Sequence, residues 1–113
     1  MTLDVYLPNP WEDEPIARLR NLLDPSVTLH LGPERPDPPA YEILVTGRPN
    51  PEDLEASDRL RAVVIPFAGV PAVTKKMLQD RPDLALHNLH HNGAATAEMA
   101  LALLLAAAKR LVP

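Results

Sequence analysis

Leu3, Val5 and Leu7 alternate with Thr2, Asp4 and Tyr6, a two-residue period that predicts a strand ended by Pro8 and Pro10. From Glu12 to Leu23 the period lengthens. Ile16, Leu19 and Leu23 recur at helical spacing, and Glu12, Asp13 and Glu14 sit in the first turn, where the helix dipole favours anions. Val27, Leu29 and Leu31 alternate again and predict a second strand. The segment Gly32-Pro-Glu-Arg-Pro-Asp-Pro-Pro39 is read as a loop, because its four prolines deny it helix and ladder bonds. Ile43-Leu44-Val45 and Ala62-Val63-Val64-Ile65 are short apolar runs of the kind found in strands covered on both faces, the second being the best central strand. Between them, Asn50-Pro51-Glu52-Asp53 is a helix start: a cap residue, proline at the first helical position, then acids. Thr74 is a candidate cap for a helix through Gln79 that Arg81-Pro82 stops, and Leu84-Ala85-Leu86 is a last strand. A final helix is expected from about Ala95 to Leu111, with Glu98 near its start and Lys109 and Arg110 near its end.

This alternation of strands and helices predicts an α/β fold with a parallel sheet and right-handed crossovers. The length of 113 residues suits a single domain, 1–113, with no internal repeat or boundary. The net charge of −4 and the scattered basic residues argue against nucleic acid as a partner. There is no cysteine, which removes disulfides and thiolate metal sites. Met1 to Pro8 lacks the basic and apolar regions of a signal peptide, and the apolar run Met99 to Ala108 is too short to span a bilayer. A cytoplasmic protein without a membrane partner is the expectation. Because Met99–Ala108 is apolar all round, its helix is expected to be buried all round. Either the helix folds back on its own sheet and completes a compact unit, or two copies pair these faces, with or without exchange of helices; a homodimer with the helix on its own sheet is the expectation.

Ligands of open parallel sheets bind beyond the carboxyl ends of the strands. The segments expected there are Pro8-Asn9-Pro10, Thr46-Gly47-Arg48, Pro66 to Val70 and His87 to Asn92. Successive backbone N–H groups of Ala68, Gly69 and Val70 would form a concavity suited to a carboxylate; the plain alternative is a turn that needs glycine only for its backbone angles. Arg48 offers a positive charge on the same edge, or is simply a solvated surface group. His87, His90 and His91 lack the Cys, Asp or Glu that would complete a metal set, so no metal is assigned to them. The Asn92 amide suits a carbonyl or carboxylate, or caps the last helix.

Three motifs in order resemble the N-terminal, substrate-binding part of the D-isomer-specific 2-hydroxyacid dehydrogenases. They are Val45-Thr-Gly-Arg-Pro-Asn-Pro-Glu-Asp-Leu-Glu-Ala-Ser57 with Leu60-Arg-Ala-Val-Val64, then Ala68-Gly-Val70, then Asn92-Gly-Ala-Ala-Thr-Ala-Glu-Met-Ala-Leu-Ala-Leu-Leu-Leu-Ala106. The resemblance covers about Val45 to Leu111. It implies a flavodoxin-like three-layer sandwich with a five-stranded parallel sheet in the order 2-1-3-4-5. It implies that the Ala68, Gly69 and Val70 amides face a substrate carboxylate, that Asn92 contacts substrate and that Thr96 lies near cofactor phosphates. Pro71 and Met99 depart from the common pattern. The family's Gly-x-Gly-x-x-Gly turn and its catalytic Arg, Glu and His do not map onto this sequence: Gly32, Gly47, Gly69 and Gly93 are all far apart. The resulting expectation is the substrate lobe of an NAD(P)-dependent oxidoreductase, a fragment of a longer two-domain enzyme, inactive alone. NAD or NADP would belong to the full-length parent, and a small carboxylate would bind weakly.

The alternative is a stand-alone flavodoxin-like module that dimerises or senses a ligand without catalysis. Two other functions of such a fold fail on residues. Asn9 and Gly47 stand where a phosphoryl-receiving regulator needs acids, and Pro8-Asn9-Pro10 lacks the hydroxyls of a flavodoxin phosphate loop.

Overall fold

The computed structural model describes residues 2–110. The elements run β1 (Leu3–Leu7), α1 (Asp13–Leu22), β2 (Val27–Leu31), β3 (Ile43–Val45), α2 (Pro51–Ala56), β4 (Ala62–Val64), α3 (Ala72–Leu78), β5 (Ala85–His87) and α4 (Gly93–Lys109). The strands form one sheet, all parallel, in the order β2-β1-β3-β4-β5, as in flavodoxin-like folds. The crossover from β2 to β3 has no helix. Gly32 begins it in the left-handed region, with φ +104°, which is open to glycine and costly for other residues. The proline-rich loop then runs beside the sheet: Tyr6 donates from its hydroxyl to the Pro33 carbonyl at 3.3 Å, and the Tyr6 and Tyr41 rings lie 5.1 Å apart.

The two faces of the sheet are covered unequally. Register places Tyr6, Leu44, Val63 and Leu86 on one face and Val5, Leu7, Ile43, Val45 and Val64 on the other. On the first, Leu44 and Val63 are fully buried in a core with Tyr41, Leu54, Leu60, Ile65, Leu78 and Leu84, supplied by the loop, α2, α3 and their connections. On the second, α1 brings Ile16, Leu19 and Leu23 over the β1–β2 end, while Ile43, Val45, Ala62 and Val64 stay only half-buried. The expectation of strands covered on both faces therefore fails for β3 and β4. The central strand is β3, not β4, because the chain passes from the β2 edge to the far side of β1 before continuing outward.

Other local expectations shift for physical reasons. The helix expected from Thr74 begins at Ala72 behind Pro71, and Thr74 lies inside it, buried, with its hydroxyl donated to the Gly47 carbonyl at 2.6 Å. The last strand moves one residue, because Leu84 is drawn into the core and His87 joins the ladder to Val64. The last helix starts at Gly93 rather than Ala95; its expected end at Leu111 falls outside the described residues. Its placement differs most. None of its described residues is buried, so it does not pack on its own sheet, and the molecule is drawn out to 59 Å along its long axis. An all-apolar helix has no polar stripe to select which face turns inward. Here the preceding loop decides: Leu89 donates its N–H to Phe67 O at 3.2 Å, and the Asn88 amide donates to the Ala68 carbonyl. Among the described residues, no helix is long and apolar enough to cross a membrane.

Candidate functional site

Parallel strands with their carboxyl ends on one side collect the post-strand loops on one edge. Three of those loops meet there in a cleft of about 350 Å³. Asn9 and Trp11 come from the chain after β1, Thr46, Gly47 and Arg48 from the turn after β3, and Pro66 and Phe67 from the turn after β4. A smaller hollow of about 150 Å³ shares Asn9, Thr46 and Arg48 and reaches Asn50 and Asp53.

The floor is held by buried bonds. Thr74 fixes the Gly47 carbonyl from inside α3, so the β3 turn cannot shift without α3. The Phe67 ring lies across Gly47 so closely that a Cβ there would displace it. Asp53 is buried beneath the smaller hollow and accepts from Arg35 Nε at 2.9 Å, and its own carbonyl accepts the Tyr41 hydroxyl at 2.5 Å. Its carboxylate holds the Arg35 guanidinium above its ordinary value and is already partnered.

Arg48 differs from its neighbours. Its side chain is exposed, it borders both hollows, and no carboxylate among the described residues pairs with it. The guanidinium, the Asn9 amide and the Thr46 hydroxyl together form a positive, donor-rich edge for an anion.

The expected residues separate into two groups. Arg48 lines the cleft. Ala68 and Gly69 lie exposed just beyond Phe67, outside the lining, and the Val70 side chain packs against the core. Gly69 is neither in the left-handed region nor within 4 Å of anything that a Cβ would meet. The reading in which its turn needs glycine for backbone angles therefore loses its basis. Asn92 occupies the N-cap position of α4, but its side chain makes no capping bond; Thr96 donates its N–H to the Asn92 carbonyl in the exposed first turn. Asn88 is the amide that joins the β4 and β5 loops. Asn9, Phe67 and Asn88 lie within the segments expected at this edge, although none was named there as a ligand-binding residue, and Trp11 lies outside those segments. Among the described residues no three His, Asp or Glu converge to hold a metal ion.

A dinucleotide does not fit what is present. Gly32, Gly47 and Gly69 lie on three separate loops and Gly93 opens α4, none of them in a glycine-rich strand-to-helix cradle, and Thr96 carries the one side-chain hydroxyl in the first turn of α4. No protein-family model, no curated protein and no solved structure matches this chain.

Proposed function

We propose that this chain is the substrate-binding lobe of an NAD(P)-dependent D-2-hydroxyacid dehydrogenase, and that its carboxyl-edge cleft takes a small 2-hydroxy- or 2-oxo-carboxylate. The observation that carries the reading is Arg48, unpaired with any carboxylate among the described residues, between two hollows that also present Asn9 and Thr46. Three ordered sequence motifs support it, two of which contribute the loops of this edge. Gly69 supports it too, since neither backbone angles nor packing account for a glycine there. In this reading the Ala68–Val70 amides approach the carboxylate from the flank and Arg48 neutralises it. Asn92 adds a contact from the β5 side.

The cleft is open to water, so charge-assisted bonds compete with solvation and binding is weak, on the order of millimolar. An NMR titration with D-glycerate is expected to shift the amides of Gly47, Arg48 and Ala68 to Val70. Arg48→Ala is expected to abolish the shifts, and Gly69→Ala to weaken them while leaving stability within about 0.5 kcal/mol. Shifts clustered elsewhere, or unaffected by Arg48→Ala, overturn the assignment.

Hydride transfer needs a seated nicotinamide, a proton-transferring group and an electrophilic clamp. The residues of this chain supply anion recognition only. Pure protein is therefore expected to give no turnover of glyoxylate or hydroxypyruvate with NADH or NADPH above a blank, measured as absorbance loss of the reduced cofactor.

A further inference from the structure

Phe67 lines only the larger cleft of the carboxyl edge, Asn50 and Asp53 line only the smaller hollow, and Asn9, Thr46 and Arg48 line both. The order along the edge is therefore Phe67, then Arg48 with Asn9 and Thr46, then Asn50 and Asp53. The hollow of about 150 Å³ differs from the cleft in chemistry. Apart from Pro8 and Pro33, its lining is polar: Asn9, Thr46, Arg48, Asn50 and Asp53.

The Asp53 side chain is only 10% exposed. Its Oδ1 accepts from Arg35 Nε at 2.9 Å, whereas its Oδ2 accepts no hydrogen bond from the described residues. The Tyr41 hydroxyl holds the Asp53 carbonyl, so the carboxylate is fixed before any ligand arrives. An acceptor so placed is complemented by a neutral O–H group. A second carboxylate or a phosphate meets like charge there, and an ammonium meets Arg35 and Arg48. An apolar group strips water from the oxygen without replacing its bond.

We propose that this hollow selects 2-hydroxy or 2-oxo acids whose far end carries hydroxyl groups, with Asp53 as the specificity-determining residue. The inference rests on the reading of this edge as a 2-hydroxyacid site. With the substrate carboxylate between Arg48 and the Ala68–Val70 amides, on the Phe67 side, the rest of the acid runs past Asn9 and Thr46 into the hollow. Asp53 Oδ2 accepts a distal hydroxyl, and the Asn9 and Asn50 amides both donate and accept for the next. The volume of about 150 Å³ equals the liquid share of about five waters, room for a –CHOH–CH2OH end. The ligand class is a short, unphosphorylated sugar acid.

D-erythronate and D-2-hydroxybutyrate share a carbon chain, the carboxylate and the 2-hydroxyl, and differ in the hydroxyls beyond. In NMR titrations both are expected to shift the amides of Gly47, Arg48 and Ala68 to Val70. Only D-erythronate is expected to shift Asn50 and Asp53 as well, and to bind about tenfold more tightly. Asp53→Asn replaces a charged acceptor with a neutral one of about half the bond strength, so the ratio of the two affinities is expected to fall to about threefold. The D-2-hydroxybutyrate affinity stays in place, which a general loosening of the fold would not allow. Asn50→Ala, at an exposed position whose side chain makes no capping bond, leaves the fold intact and is expected to lower the ratio to about threefold as well. Equal affinities for the two acids, or a ratio that neither variant changes, overturn the inference and leave the carboxylate reading standing. D-erythronate shifts at Trp11 and Phe67 without Asn50 and Asp53 do the same. If neither acid shifts Gly47, Arg48 or Ala68 to Val70, the reading of the edge falls and the inference with it.

Discussion

Leu44→Ala is expected to cost about 2 to 5 kcal/mol of stability, whereas Val45→Ala, the next residue of β3, costs the isolated chain about 1 kcal/mol or less. Both residues sit in an apolar run on the central strand, but they point to opposite faces. Leu44 is fully buried among Tyr6, Tyr41, Leu54 and Val63, and its loss leaves a cavity that close-packed neighbours cannot fill. Val45 borders the open groove, where solvent already reaches it and no cavity forms. Urea unfolding of the two variants measures the difference. Equal costs at low protein concentration would mean that the second face is closed in the isolated chain.

The same asymmetry explains what could be read in advance. The order of elements and the parallel sheet follow from periodicity and from prolines and glycines at the breaks, which are local signals. Ile43-Leu44-Val45 reads as a doubly covered strand because three consecutive apolar residues are the pattern of burial on both sides. Whether a helix arrives to cover the second face is decided elsewhere in the chain. For α4 it is decided by hydrogen bonds of Asn88 and Leu89 to another loop, which no helical period encodes. Arg48 was legible as a candidate from its position after β3. Its two hollows were not, since they depend on how the chain after β1, the strand paired with β3, folds over to bring Asn9 to both and Trp11 to the larger. Thr74 was misplaced for a similar reason. A threonine near a helix start usually caps it, but the Gly47 carbonyl, 27 residues away in sequence, holds this one.

Stability is expected to fall as pH rises from about 10 toward about 12, and Tyr41→Phe is expected to reduce that slope. Burial pushes the Tyr41 hydroxyl from its ordinary 10.0 up to about 12, and the nearby Asp53 charge pushes in the same direction, against a smaller opposing pull from Arg35. The hydroxyl is donated to the Asp53 carbonyl, so the folded state needs its proton. The sign follows from linkage. An unfolded chain releases this proton at about pH 10, while the folded chain keeps it until about pH 12. Between those values the unfolded state binds fewer protons, and raising the pH favours unfolding. Below pH about 10 both states hold the proton and the contribution is fully present. Tyr6, raised in the same direction chiefly by burial, adds to the slope. The consequence reaches the cleft, because Tyr41 and Arg35 both grip Asp53 under the smaller hollow beside Arg48. Denaturant midpoints measured across this range, for wild type and Tyr41→Phe, give the comparison. The phenylalanine variant starts lower at neutral pH for loss of the hydrogen bond, then declines less steeply. Parallel curves would show that Tyr41 does not hold its proton in the folded chain.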